Sequence, residues 1–288
     1  MSVRVFAPAK INLTLKVGAA RADGYHPLES VVAFADIGDI VEAEAADDLS
    51  LAIHGDFAEG LVADETNLVL RAAAALAEAA GITPRARLSL EKNLPIASGI
   101  GGGSSDAASA LTALNGLWGL NWSPPRLAEI GARLGADVPV FFSGSGAAHM
   151  SGVGEICEPM RMPPLPAVLI NPLQPLSTPD VYRQFDRMAL GSALSGAPPP
   201  AWESDAEAVA AMRTLGNDLE APAAALTPAI ASFLTSLRAR PEVRYAALSG
   251  SGATVFAITN DGAAAERLAD EMIVARSDCW IQETMLGA

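Results

Sequence analysis

The segment Leu94-Pro-Ile-Ala-Ser-Gly-Ile-Gly-Gly-Gly-Ser-Ser-Asp-Ala-Ala108 decides most of what can be inferred about this chain. Four of the five residues at 99–103 are glycine, which would destabilise the interior of a helix or strand. The alternating residues 86–92 predict a strand before this segment, and the alanine-rich residues 104–118 predict a helix after it. Exposed amides and the dipole at such a helix N-terminus favour an anion. A phosphate-binding loop is therefore predicted, and a flexible or tightly turned connection is the alternative.

Known sequence patterns narrow the kind of loop. The chain contains no Gly-Lys-Ser/Thr sequence, which excludes a Walker loop. It contains no Gly-x-Gly-x-x-Gly, which excludes the Rossmann fingerprint. Neither His-Arg-Asp nor Asp-Phe-Gly occurs, which excludes a protein kinase. A nucleotide loop of another kind remains.

Composition limits the partners. Of the 288 residues, half are apolar and 18% are charged, as in globular proteins of one large or two ordinary domains. The formal net charge of -14 predicts no binding to nucleic acid or anionic membranes. No apolar run reaches membrane-span length and no signal peptide is recognisable, so we expect a cytoplasmic protein. The two distant cysteines, Cys157 and Cys279, predict neither a disulfide framework nor a zinc site.

The order of predicted elements indicates an α+β protein with two domains, residues 1–160 and 161–288. The proline-rich residues 162–166 are a plausible boundary between them. Alternation predicts a strand over residues 10–17, and apolar residues predict another over 138–142. A helix over 67–80 has Thr66 as its expected N-cap. Residues 191–204, rich in small residues and proline, predict a mobile surface segment.

Six motifs extend the inference through nearly the whole chain. They are Pro8-Ala-Lys-Ile-Asn-Leu13, Arg21-Ala-Asp-Gly-Tyr-His26, the glycine loop, Leu134-Gly-Ala-Asp-Val-Pro139, Gly216-Asn-Asp-Leu219 and Leu248-Ser-Gly-Ser-Gly-Ala253. In this combination and order the chain resembles the GHMP small-molecule kinases, which include galactokinase, homoserine kinase and mevalonate kinase. The resemblance implies a two-domain GHMP kinase fold, with an N-terminal domain like domain 2 of ribosomal protein S5 and a ferredoxin-like C-terminal domain. It also implies phosphoryl transfer from ATP with Mg²⁺ to a hydroxyl of a small molecule.

The resemblance assigns the glycine loop to ATP. The residues expected to bind the nucleotide are Pro95, Ile96, Ala97, Ser98, Gly99, Ile100, Gly101, Gly102, Gly103, Ser104 and Ser105. Hydroxyls at this position can reach a phosphate-bound Mg²⁺, and Ser105 is the expected metal ligand. Asp106 follows the paired serines, where it could assist the metal or cap the helix, and we favour the cap.

Two residues carry the expected chemistry. Asp137, before an apolar segment, matches the catalytic base of the family, although a turn-capping Asp is an equal alternative on local sequence alone. Lys10, which begins an alternating segment, matches the family's active-site lysine, although an exposed lysine at a strand start is the common case. A nearby ammonium favours the ionised form of a carboxylate and stabilises alkoxide character on an acceptor oxygen.

The acceptor is inferred from a turn with flat side chains. Within the family, the chain resembles the branch that phosphorylates the 2-hydroxyl of a cytidine diphosphate ester of methylerythritol in isoprenoid synthesis. Tyr25 would then stack on the cytosine and His26 would hydrogen-bond its edge, with Asn12 holding the methylerythritol part. Thr178 begins a helix whose Tyr182 is the expected second aromatic face, with Phe185 three residues on as the alternative.

The loop Gly250, Ser251 and Gly252 is expected near the diphosphate of the acceptor, although a simple turn between two strands is the alternative. Other classes of function also stay open. They are a GHMP kinase for mevalonate, homoserine or a sugar, a decarboxylase like diphosphomevalonate decarboxylase, and a binding protein without activity. We expect a monomer or weak homodimer.

Overall fold

A computed structural model describes residues 2–288 of the chain, which fall into two compact units. Unit 1 contains the chain up to Ala9, Ile37–Ile96 and Gly101–Gly144. Unit 2 contains Lys10–Asp36, Ala97–Ile100 and Ser145–Ala288. The chain therefore crosses between the units several times, whereas the predicted boundary at residue 160 cuts it once. No helix among residues 2–288 is long and apolar enough to cross a lipid bilayer.

Unit 1 packs three helices against a small sheet. Its elements are the first part of β1 (Ser2–Asn12), the second part of β3 (Leu28–Glu44), β4 (Leu49–His54), α1 (Leu68–Ala80), β5 (Ala86–Glu91), α2 (Gly102–Leu117), α3 (Pro124–Gly131) and a 3₁₀ helix (Pro139–Phe142). Strand β5 runs parallel to β4 and antiparallel to β3. The alternating burial of β5 turns Leu88 and Leu90 onto Leu76 of α1 and Leu111 of α2, which form the core with small alanines.

Unit 2 contains the remaining elements. They are β2 (Lys16–Val17), the first part of β3, β6 (Ala147–Ser151), β7 (Ile156–Met160), β8 (Leu165–Asn171), α4 (Thr178–Arg187), α5 (Asp205–Leu215), α6 (Glu220–Leu226), α7 (Pro228–Arg238), β9 (Val243–Leu248), β10 (Val255–Thr259), α8 (Gly262–Ala275) and β11 (Trp280–Leu286). Strand β6 pairs with β3 and β7, and β2 pairs with β3.

The last part of unit 2 has the ferredoxin-like arrangement. Strands β8, β9, β10 and β11 lie side by side in the antiparallel order β11-β8-β10-β9. In chain order they alternate with helices as β-α-β-β-α-β, which is the ferredoxin-like motif. Val168, Val255 and Ile281 from the sheet pack against Phe233 of α7 and Leu268 of α8. The C-terminal fold predicted from the resemblance is therefore present.

Several local predictions are wrong for identifiable reasons. Residues 138–142 are not a strand, because Pro139 cannot donate to a sheet ladder and instead begins a 3₁₀ helix. Asn67, not Thr66, caps α1, since its side chain accepts the amide of Val69 at 3.0 Å. The strand predicted over residues 10–17 ends at Asn12. Three residues later, the amide of Leu15 donates to the carbonyl of Gly216 and not to a neighbouring strand.

Longer elements also differ from the sequence prediction. Strand β3 is continuous from Leu28 to Glu44. The predicted linker 162–166 overlaps the start of β8, where Leu165 pairs with Leu286. Residues 191–203 contain no helix or strand, as expected, but Glu29 anchors this segment by accepting the amides of Ser195 and Gly196.

One close backbone contact in unit 2 explains a glycine of the loop. Gly99 has a φ of +78°, in the left-handed region that favours glycine. A Cβ at this position would lie 2.5 Å from the carbonyl oxygen of Gly252 and 2.7 Å from that of Ser249. Both belong to the β9–β10 connection, so residues 97–100 and this connection pack backbone against backbone.

Replacing Gly99 by alanine tests this contact. We expect Gly99→Ala to lower the free energy of unfolding by more than about 2 kcal/mol, since strain at positive φ and a collision with backbone add together. Gly81→Ala is the matched control, because Gly81 has a φ of +66° and no atom within 4 Å of the added Cβ. Urea denaturation measures both variants, and equal losses would contradict the close contact.

Candidate active site

The part of the glycine loop in unit 1 forms the start of helix α2. Gly101, at a φ of +69°, is the N-cap, and no side chain among residues 2–288 caps the first turn. The amide of Ser105 donates to the carbonyl of Gly101 at 2.9 Å. Amides before Ser105 therefore retain their capacity to bind an anion, as at other helix N-termini.

The two serines of the loop differ in exposure. Ser104 is half-buried, whereas Ser105 is fully buried, and its Oγ has no hydrogen-bond partner among the described residues. An unpartnered buried hydroxyl is unfavourable unless a ligand or ion satisfies it. The chemistry of this start of α2, with uncapped amides and a hydroxyl in need of a partner, fits a phosphate with its metal.

Residues 97–100 of the loop are held in unit 2 by the Ser249–Thr254 segment. Thr254 donates from both its amide (3.1 Å) and its Oγ1 (2.6 Å) to the carbonyl of Ser98. Ser249 Oγ donates to the carbonyl of Gly99 at 3.0 Å. Thr254 in turn accepts from the side chain of Asn171 at 2.9 Å. Serine and threonine hydroxyls thus take the place of ladder bonds between two irregular segments.

Lys10 and Asn12 lie at the end of β1 in unit 2, and both are buried. The amide of Lys10 donates to the carbonyl of Ile100 at 2.8 Å, which ties this strand to the glycine loop. The amide of Asn12 donates to Ser249 Oγ at 3.1 Å, and its side chain donates to Ser30 Oγ at 2.7 Å. Asn12 Oδ1 also lies 3.3 Å from the position where Gly250 would carry a Cβ. Unit 2 therefore brings together Lys10, Asn12, residues 99–100 of the glycine loop and Gly250.

Asp137 belongs to unit 1. It is half-buried in the turn between α3 and the 3₁₀ helix that begins at Pro139. This placement agrees with a turn residue. Its pairing with Lys10 stays a prediction.

His26 and Tyr182 form an aromatic pair in unit 2. Their ring centroids are 5.1 Å apart and the rings are tilted by 38°. His26 is buried, and its Nδ1 lies 2.9 Å from the carbonyl of Gly18, so Nδ1 carries the proton that is donated. Its Nε2 is 3.4 Å from a carboxylate oxygen of Asp186. The imidazole is therefore fixed in orientation by contacts on two sides.

Burial separates the two aromatic candidates on α4. Phe185 is fully buried and meets the edge of His26, whereas Tyr182 is half-buried. Of the two, Tyr182 is thus the one with a partly accessible ring. Tyr25, at 64% exposure, lies on the surface one residue before His26.

The start of α4 meets the β9–β10 connection. Thr178 Oγ1 and Ser251 Oγ are 2.8 Å apart, and one donates to the other. Asn217 stabilises the same connection, because its side chain donates at 2.8 Å to the carbonyls of Leu248 and Gly250. The predicted substrate residues Thr178, Gly250, Ser251 and Gly252 therefore lie at the β9–β10 connection and the start of α4 that meets it.

Sequence reasoning missed a buried ionic cluster in unit 1. Lys92, at the end of β5, donates to Asp39 Oδ2, and to Asp106 Oδ2 at 3.0 Å. All three side chains are buried, and burial raises the pKa of Asp106 to about 7 despite the opposing effect of the Lys92 ammonium. Asp106 lies beyond the first turn of α2, so the expected helix cap is wrong. The available signal was composition, since Lys92 is one of only three lysines.

A separate pocket of about 590 Å³ lies in unit 2 between α5, α7 and β9. Its lining includes Arg213, Asn217, Arg238, Arg244 and Tyr245. None of the sequence-predicted site residues lines it. Asn217 connects it to the β9–β10 connection.

Comparison with known proteins places this geometry in a family. Residues 67–145 match the model of the GHMP kinases N terminal domain, and residues 202–275 match that of the GHMP kinases C terminal. The chain is 44% identical to the 4-diphosphocytidyl-2-C-methyl-D-erythritol kinase of Xanthobacter autotrophicus, with 99% of both chains covered. It is 45% identical to that of Cereibacter sphaeroides, with 98% of both chains covered.

Solved structures agree. A crystal structure of a 4-(cytidine 5'-diphospho)-2C-methyl-D-erythritol kinase matches with a TM-score of 0.77 and 34% identity, covering 99% of each chain. A homoserine kinase from Cytophaga hutchinsonii matches with a TM-score of 0.72 and 18% identity, over 98% of this chain and 94% of that one, and shares the fold. The chain therefore belongs to the GHMP kinases and, among them, to the family of the 4-diphosphocytidyl-2-C-methyl-D-erythritol kinases.

Proposed function

We propose that this protein transfers a phosphoryl group from ATP to the 2-hydroxyl of 4-(cytidine 5'-diphospho)-2-C-methyl-D-erythritol, a step of non-mevalonate isoprenoid synthesis. Relatives named for this substrate match nearly the whole chain. The observation that carries the acceptor is the His26–Tyr182 pair, a fixed imidazole beside a partly accessible aromatic ring. Mevalonate, homoserine and sugars carry no base for such a pair to hold.

ATP is assigned to residues 95–105. The uncapped start of α2 offers amides to phosphate oxygens, and Gly99 and Gly101 let the backbone take the required positive φ. We assign Ser105, whose buried Oγ needs a partner, to Mg²⁺. When bound, the metal supplies neutralisation of charge on the transferring phosphoryl group.

Lys10 and Asp137 are the residues to which we assign the chemistry. Phosphoryl transfer depends mainly on positioning and on charge stabilisation, and it is helped by a base for the acceptor proton. Asp137, half-buried in its turn, takes the proton of the 2-hydroxyl. Lys10 stabilises the negative charge on the acceptor oxygen, and its backbone bond to Ile100 fixes the strand beside the glycine loop.

The cytidine end of the acceptor is assigned to His26 and two tyrosines. Because His26 Nδ1 is held by the carbonyl of Gly18, its Nε2 is the ring nitrogen that we assign to a hydrogen bond with the edge of cytosine. Tyr182 supplies one face for stacking and Tyr25 a second. Asn12 holds the methylerythritol part, and Thr178 with the Gly250–Gly252 stretch lies toward the diphosphate.

Surface charge supports small-molecule partners. A formal net charge of -14 disfavours nucleic acid and anionic membrane surfaces, so we propose no partner of either class. We also propose a cytoplasmic protein that is a monomer or weak homodimer.

An assay of ADP release across acceptors tests the function. We expect ADP with the cytidyl methylerythritol substrate, none with mevalonate, homoserine or galactose, and loss of activity when EDTA removes Mg²⁺. Activity on mevalonate or homoserine but not on the cytidyl substrate would overturn the proposal. Release of CO₂ from diphosphomevalonate would favour a decarboxylase instead.

Asp137→Asn tests the base. We expect turnover to fall by roughly 10²–10⁴, the usual range for loss of a general base, with little change in KM. Asp205→Asn is the control, because it makes the same chemical change at an exposed carboxylate paired with Arg244. Near-native turnover of Asp137→Asn on the cytidyl substrate would remove the residue from the mechanism.

Tyr182→Ala tests the aromatic face. Loss of stacking is expected to raise the KM for the cytidyl substrate about 5- to 150-fold, which corresponds to about 1–3 kcal/mol per stacked base. The KM for ATP should not change. Tyr182→Phe retains the ring and should retain the acceptor KM. An unchanged acceptor KM in Tyr182→Ala would place the cytosine elsewhere.

A further inference from the structure

Three buried charges in unit 1 have no role in the chemistry described above. Asp39 on β3, Lys92 at the end of β5 and Asp106 on α2 are each less than 5% exposed. We call these three residues the Lys92 clamp. Burying charges is costly, and such groups persist only where several partners compensate them. The partners of the Lys92 clamp lie at both ends of the glycine loop.

The chain entering the loop is held through Asp39. Its Oδ1 accepts the amides of Asn93 at 2.6 Å and Leu94 at 2.8 Å, while its Oδ2 accepts from Lys92 Nζ. The backbone of Lys92 is fixed as well, because its amide donates to the carbonyl of His54 at 2.7 Å. The residue before Pro95 therefore has little freedom to move.

The chain leaving the loop is held through Asp106. Lys92 Nζ donates to Asp106 Oδ2 at 3.0 Å, which attaches α2 to the same ammonium. The start of the helix packs directly on this charge, because a Cβ on Gly102 would lie 3.0 Å from Lys92 Nζ and 3.6 Å from Asp39 Oδ2. Helix α2 has no side-chain cap among the described residues that could fix its first turn in another way.

One ammonium thus joins Leu94, through Asp39, to α2, through Asp106. The residues between them, 95–101, are among those assigned to ATP. A loop rich in glycine has high conformational freedom, and ordering it at the moment of binding would weaken affinity. Fixing both of its ends lowers that entropic cost before the ligand arrives.

We propose that Asp39, Lys92 and Asp106 are positioning residues that preorganise the glycine loop for the phosphates of ATP. The inference rests on the proposed function, since it assigns these residues to the same nucleotide site. It predicts a specific loss of ATP affinity when the attachment of α2 is removed, with acceptor binding unaffected.

Asp106→Ala, Asp106→Asn and Ser109→Ala form the test set. Asp106→Ala removes the tether, and we expect the Kd for ATP, measured by isothermal titration calorimetry, to rise at least about tenfold, as for loss of a hydrogen bond to a charged group. Asp106→Asn keeps an oxygen that can accept from Lys92 and should recover most of the affinity. Ser109→Ala is the matched control, because Ser109 is also buried on α2 but donates to the carbonyl of Phe6, away from the loop.

Hydrogen exchange at the amides of residues 99–104 supplies a second readout. We expect faster exchange there in Asp106→Ala than in Ser109→Ala, with the helix beyond Leu111 unchanged in both. A KM for ATP that rises while the acceptor KM stays constant would agree. Native ATP affinity and native exchange in a folded Asp106→Ala would overturn the inference.

The two proposals can fail separately. If the unchanged protein does not bind ATP, the proposed function fails, and hydrogen exchange still decides whether the Lys92 clamp orders the loop. If the unchanged protein binds and uses ATP but Asp106→Ala does so equally well, only the clamp inference fails. Global unfolding of Asp106→Ala is recognised by circular dichroism, and Asp106→Leu, which fills the space but cannot accept from Lys92, then carries the test: exchange at 99–104 and a Kd for ATP both equal to those of the unchanged protein would overturn the inference.

Discussion

The close approach of two irregular segments in unit 2 is the constraint on which the candidate site depends. Residues 97–100 lie against the β9–β10 connection so closely that Gly99 has no space for a Cβ beside the carbonyls of Ser249 and Gly252. No side chain fits between two backbones that lie this close. Their amides and carbonyls must therefore hydrogen-bond to each other or to short side chains nearby. Gly99 adopts the positive φ that the close approach needs. The hydroxyls of Ser249 and Thr254 donate to the carbonyls of Gly99 and Ser98.

The predicted substrate residues lie around this contact. Ser249 accepts the amide of Asn12, and the amide of Lys10 donates to Ile100, so β1 ends at the loop. Asn217 supports the connection from its other side through two carbonyls. These hydrogen bonds pair the polar groups of the network with one another, and such paired networks favour one arrangement. Residues far apart in sequence are therefore positioned by hydrogen bonds and not by a continuous secondary element.

The charge distribution of the protein limits where an anionic ligand can bind. With 19 lysines and arginines against 33 acidic residues and a net charge of -14, the chain as a whole does not attract anions. Amides at the start of α2 provide partial positive charge without any side chain. Lys92 is buried inside unit 1, where it forms ion pairs with Asp39 and Asp106. Such a design favours one anionic ligand at one place over general attraction of anions.

The sequence alone determined the chemical class of the site and most of its elements. Glycine spacing, paired serines and a strand followed by a helix follow from local backbone preferences. They could therefore be predicted from residues 94–108 alone. The order of six motifs identified the kinase family. Only the tertiary structure decided three other features. Pro139 begins a 3₁₀ helix, and Tyr182 is partly exposed whereas Phe185 is buried. Asp106 forms an ion pair with Lys92. These outcomes depend on which surfaces become buried against partners tens of residues away, and burial is a property of the folded chain.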